Sequence, residues 1–189
     1  MNPYAIALFF HFLGLVGLFV GYGLEWTASS LLRRSTTSDQ ARAWLRIYKL
    51  SMPISGPGLL ILIISGGYMA SVTGSMKQGW ISASLLAIVF ALGIGFVFVL
   101  PRVRKIRAAL PEVNATLPDA VLARLPDPML VTLIRVRFIL ALGIVYLMTA
   151  KPAALSSSLF LLLGAIVVGL LCATSAWFSS PASTKAQLH

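Results

Sequence analysis

Residues 4–24 read YAIALFFHFLGLVGLFVGYGL. One side chain in this stretch titrates near neutral pH, His11; the only other histidine in the chain is His189. About 20 consecutive apolar residues suffice to cross a bilayer as a helix. An ionisable group inside such a span marks function more often than chance, so His11 is the first functional clue.

Four further stretches pass the same length test. The expected spans are about 4–26 (with room to continue to Leu32), 54–72, 80–100, 129–150 and 154–177. Prolines bound them: Pro53 and Pro57 at the entry to the second, then Pro101, Pro152 and Pro181 after the third, fourth and fifth. The fold class is therefore all-α, a polytopic transmembrane helix bundle of five spans. With 58% hydrophobic and 11% charged residues, the 189-residue chain has no polar half for a separate soluble domain, so 1–189 reads as a single membrane domain.

The loops divide by charge. The first, 33–50, holds Arg33, Arg34, Arg42, Arg46 and Lys49 against Asp39. The third, 102–128, holds Arg102, Arg104, Lys105, Arg107 and Arg124 against Glu112, Asp119 and Asp127. The second and fourth carry only Lys77 and Lys151. Basic loops face the cytoplasm, which puts the N-terminus outside and the C-terminal tail, with Lys185, inside. The expected location is a bacterial inner membrane. This topology accounts for the net charge of +10 without nucleic acid as a partner. Trp26, Tyr48 and Trp177 would mark the inner interface, and Tyr4, Trp80 and Tyr146 the outer one. The first helix does not read as a cleavable leader and is expected to stay.

Within the first loop, Ser38 is the expected N-cap of an amphipathic helix lying on the inner leaflet. Ala41, Trp44, Leu45 and Tyr48 form one face, and Arg42, Arg46 and Lys49 another. The third loop is Pro-rich (Pro111, Pro118, Pro126, Pro128), with a short helix expected near Asp119. Gly14, Gly17 and Gly21 give the first span a smooth face suited to close helix packing, within the chain or in a homodimer. A lone Cys172 permits no intrachain disulfide and reads as a small hydrophobe.

Two sets of residues stand out chemically. Tyr68, Met69, Trp80, Met148 and Lys151 fall near the depth of His11. Together they could hold haem b: His11 as an axial ligand, Met69 or Met148 opposite it, Lys151 at a propionate. Equally, the methionines could be packing, Lys151 could reach for headgroups, and His11 could bond a neighbouring helix. Glu25 lies roughly 21 Å along the first helix from His11, too far to touch it. Arg135 and Arg137 fall in the inward part of the fourth span, where insertion costs at least ~2.5–3.5 kcal/mol. A structural role is expected, with Arg135 in the headgroup zone or paired with Glu25. No hydrolase, kinase, Walker or Rossmann motif occurs, and neither do the paired intramembrane carboxylates of a proton-coupled carrier.

His11-Phe12-Leu13-Gly14, Pro57-Gly58-Leu59 running to Gly66-Gly67-Tyr68-Met69, Gly79-Trp80, and Arg137 running to Leu147-Met148 and Lys151-Pro152 resemble a family of small uncharacterised bacterial integral membrane proteins. That family is distantly similar to the copper-resistance-D-like superfamily, which includes membrane protoporphyrinogen oxidases. The resemblance implies a b-type haem on His11, membrane electron transfer or haem-linked oxidation, and roles for Lys151 and Pro152. This chain lacks the oxidases' Asn-Glu-x-Pro stretch and their additional histidines. The other expectation is a non-enzymatic carrier, or an accessory subunit packed against a membrane partner.

Overall fold

The computed structural model describes residues 2–110, 117, 125 and 127–178, with the side chains of 175–178 outside the description. Five helices are long and apolar enough to cross a membrane: α1 (Pro3–Leu32), α2 (Ser38–Val72), α3 (Gly79–Ala109), α4 (Pro128–Ala150) and α5 (Leu155–Phe178). No strand occurs among the described residues. Outward faces are apolar, with Phe160 78% and Val89 66% exposed, as a lipid-solvated surface requires. The basic residues gather at the end where α1 passes to α2 and where α3 ends, called here the basic end.

The helix starts follow from local chemistry. Asn2 accepts a hydrogen bond from the Tyr4 amide ahead of Pro3. Asp127 accepts from the Met129 and Leu130 amides at 2.9 and 3.2 Å and opens α4. The N-cap of α2 is Thr37 rather than Ser38, because the Thr37 hydroxyl accepts from the Gln40 amide.

Two boundaries differ from the sequence reading. The amphipathic segment does not lie on the leaflet as a separate helix. It runs straight into the second span as one 35-residue helix containing Pro53 and Pro57. Its apolar residues Ala41 and Leu45 are buried in a core with Val103, Ile106 and Ile134, so protein rather than lipid covers that face. Nor does the third span stop at Pro101. Residues Ile94–Val99 form a π-helical stretch, and the α-helix resumes at Leu100. That resets the hydrogen-bond register and places Pro101 in a first turn, where its missing N–H is tolerated. Pro111, Pro118, Pro126, the helix expected near Asp119, the Trp177 ring and Lys185 lie outside the described residues.

The glycine face of α1 is used within the chain. A Cβ on Gly14 would lie 2.7 Å from the Gly58 carbonyl oxygen, and one on Gly21 would lie 2.5 Å from Ser55 Cβ. Helix α2 therefore covers the face considered for a homodimer. Ala83, Ala87 and Ala91 of α3 pack with Leu140, Ile144 and Leu147 of α4 and Leu162 of α5. Leu18, Tyr22, Leu62 and Ala141 join α1, α2 and α4.

Candidate functional site

The most polar part of the interior sits where α1, α2, α3 and α4 meet, toward the basic end. Arg137 on α4 donates to Glu25 on α1 at 2.8 Å. The two side chains are 10% and 5% exposed. The Ser51 hydroxyl of α2 shares its one hydrogen between the Tyr48 carbonyl at 2.7 Å and the other Glu25 oxygen at 3.1 Å. The Arg137 guanidinium lies over the Tyr22 ring, 4.7 Å from its centroid, which adds a cation–π contact to the ion pair. From α3, Gly95 in the π-helical stretch leaves the space: a Cβ there would come within 3.1 Å of the guanidinium carbon. Arg137 Nε is buried and has no hydrogen-bond partner among the described residues.

A cavity of about 120 Å³ opens beside this pair. Glu25, Arg137, Tyr22 and Tyr48 supply its polar part, and Met52, Gly56 and Leu59 of α2 face Leu92, Phe96 and Leu100 of α3 across its apolar part. Met52 and Phe96 are also exposed, so the cleft opens sideways between α2 and α3. The polar end offers donors from Arg137 and the tyrosine hydroxyls, and the mouth is apolar.

The sequence reading left Arg135 either in the headgroup zone or paired with Glu25; the partner of Glu25 is Arg137. Arg135 and Arg137 are two positions apart and point to different sides of α4. Arg137 shares the buried face with Leu140, Ala141 and Ile144, the helical spacing that would have identified it. Arg135 instead lies over the Trp26 ring at 5.2 Å and donates to the Cys172 carbonyl at 2.6 Å, near the end of α5. Just past α1, partial burial and then the charges of Arg135 and Arg34 push the Arg33 guanidinium below its ordinary pKa. Trp26 and Tyr48, expected as interface markers, are partly buried against the basic-end core.

His11 faces α2. Its Nδ1 is 3.2 Å from the Ser65 hydroxyl, and a Cβ on Gly66 would sit 3.1 Å from the ring's Cε1. Ser65 gives its one hydrogen to the Ile61 carbonyl at 2.6 Å, so its oxygen accepts from His11 Nδ1–H. The ring also hydrogen-bonds to the Leu62 backbone. Met69 is one helical turn beyond Ser65 and half-buried, and Tyr68 beside it is exposed. The other expected site residues lie apart. Met148 packs into the α3–α4–α5 core. The Trp80 indole donates to Gln78. Lys151 is exposed and caps α4 in the left-handed conformation, its amide bonded to the Leu147 carbonyl at 2.8 Å. Neither principal cavity reaches His11. Among the described contacts, then, Met148, Trp80 and Lys151 each meet partners other than His11. Among the described residues no group of three or more His, Cys, Asp and Glu comes together.

The Gly79-Trp80 pair has a packing reason. A Cβ on Gly79 would lie 2.5 Å from the Leu155 amide nitrogen, so the start of α3 is pressed against the start of α5.

No curated protein matches the chain, and no solved structure matches it. A family model described as "Predicted integral membrane protein (DUF2269)" matches residues 6–152, which takes in α1 to α4 and every residue of the buried charge site. The chain belongs to that family of integral membrane proteins.

Proposed function

We propose that this protein is a non-enzymatic membrane carrier or accessory protein that holds the polar head of a lipid-soluble molecule in the cleft between α2 and α3. The supporting observation is that the buried Glu25–Arg137 pair lines a cavity whose mouth is apolar. Glu25 and Arg137 neutralise each other, so the head that suits them is a neutral acceptor such as a carbonyl. A charged head would add an uncompensated charge in low dielectric. A volume of about 120 Å³ takes a head of a few atoms, since a water molecule occupies ~30 Å³. The tail would leave through the mouth into the acyl chains. The charge division of the loops supports a bacterial inner membrane, with the N-terminus outside.

The test uses the whole protein in a mild detergent. A lipid-soluble probe with a single small carbonyl head and an alkyl tail, 2-tridecanone, should raise its melting temperature in a saturable way. Gly56 lines the mouth, and a Cβ there meets nothing within 4 Å. Gly56→Phe should therefore block the gain while leaving the unliganded melting point near that of the parent. Absence of stabilisation, or equal stabilisation of Gly56→Phe, overturns the proposal.

A haem b on His11 is the second proposal. What favours it is the imidazole of His11 held against Ser65 between two helices, with Met69 one turn from Ser65. Protein expressed with ample haem should show a Soret band that His11→Ala abolishes. A colourless parent protein rejects this reading without touching the first.

A further inference from the structure

A second cavity, of about 580 Å³, lies at the basic end between the first turns of α2 and the last turns of α3. Arg42, Arg46 and Lys49 line it from α2, and Arg107 lines it from α3. The α2 residues fall at positions i, i+4 and i+7, so the helix aims all three at one side. No carboxylate lines the cavity among the described residues, although Asp39 precedes it on the same helix. Its floor is apolar, with Leu45 and Leu110 both buried.

A net excess of cations on this side follows from topology alone. The arrangement goes further than that. Arg104 and Lys105 carry the same charge, lie on the same helix and are exposed, yet they stay outside the cavity. Arg46, Lys49 and Arg107, from two helices around one concavity, suit a ligand with several acceptor oxygens and more than one negative charge; Arg42 beside them is already engaged within the protein. Arginine forks bind phosphate oxygens in pairs, and lysine adds a point charge.

We infer that Arg46, Lys49 and Arg107, with Arg42 lining the same wall, form a binding site for a phosphate group, on an anionic phospholipid or as a soluble phosphate. The lipid source has a structural basis: Leu50, next to Lys49 on α2, is an exposed apolar side chain along which an acyl chain could run. This site is separate from the cleft at Glu25 and Arg137, so either can fail alone.

The experiment is native mass spectrometry and thermal melting of the detergent-solubilised chain, with two probes. One arm titrates phosphatidylglycerol against phosphatidylcholine; the other titrates inorganic pyrophosphate against sodium chloride at matched ionic strength. Arg46→Gln and Lys49→Gln should each weaken phosphate binding about fivefold, and the pair roughly thirtyfold. The equal-charge control Arg104→Gln/Lys105→Gln should leave it within about twofold. Arg46→Lys keeps the charge, and should lose less than Arg46→Gln. Response to phosphatidylglycerol alone identifies a lipid headgroup, and response to pyrophosphate alone a soluble ligand; both support the site. No response in either arm overturns it. So does a control variant that loses as much as the cavity variant, because binding would then follow net charge only.

Discussion

Glu25 and Arg137 are 112 positions apart in the chain and meet at 2.8 Å inside the bundle. The pair locks α1 to α4 at the level where α3 leaves regular α-helical geometry. Removing one partner strands the other charge in low dielectric, which typically costs about 3–5 kcal/mol. Glu25→Gln and Arg137→Gln should each lower the melting temperature sharply. The double variant should be more stable than the two single losses predict together. A double-mutant cycle on thermal melts in detergent measures this, and simple additivity would show that the two charges are not coupled.

Gly95 tests the same site from α3. A Cβ there would crowd the Arg137 guanidinium at 3.1 Å, whereas Gly93, two residues earlier, has nothing within 4 Å. Gly95→Val should destabilise by about 1–3 kcal/mol through overpacking. Gly93→Ala should be close to neutral. In an Arg137→Gln background the Gly95→Val penalty should shrink, since the shorter side chain vacates that space. An unchanged penalty would mean that the valine clashes with something else.

The crossing of α1 and α2 makes a separate prediction. A Cβ on Gly58 would lie 2.8 Å from the Leu18 amide nitrogen and 2.9 Å from the Gly14 carbonyl oxygen, both backbone atoms that cannot step aside. Gly58→Ala should force the two helices apart and cost more than Gly56→Ala, whose Cβ meets nothing within 4 Å. Melting curves of the two variants decide it. Equal losses would reduce the effect to helix propensity.

How far the sequence reaches is clear from particular residues. The five spans were legible because hydropathy over about 20 residues is a bulk property that needs no partner. The smooth face of Gly14, Gly17 and Gly21 was legible too, but not its partner Gly58, which belongs to another helix. Pro101 misled. Its helix-stopping rule holds only if the register is continuous, and the π-helical stretch Ile94–Val99 shifts it. The charge site was half visible: Glu25 and the arginines of α4 stood out as ionisable groups in apolar helices. Choosing Arg137 over Arg135 needed the buried face of α4. The residues grouped with His11 shared a depth, and depth is one coordinate of three. Met148 and His11 proved to belong to different packing surfaces.

Lys151 offers the sharpest contrast between a ligand-holding and a backbone role. It is the one described non-glycine residue with positive φ, at 45°, and it precedes Pro152, which narrows its conformations further. An L-residue in the left-handed region carries roughly 1–2 kcal/mol of strain, and glycine does not. If the residue serves α4 as a cap, Lys151→Gly should match or exceed the parent in stability, by up to about 1 kcal/mol, while Lys151→Ala should gain nothing. Chemical denaturation in mixed micelles reads the difference. Similar losses in Lys151→Gly and Lys151→Ala, both below the parent, would move the role of this residue from its backbone to its ammonium group.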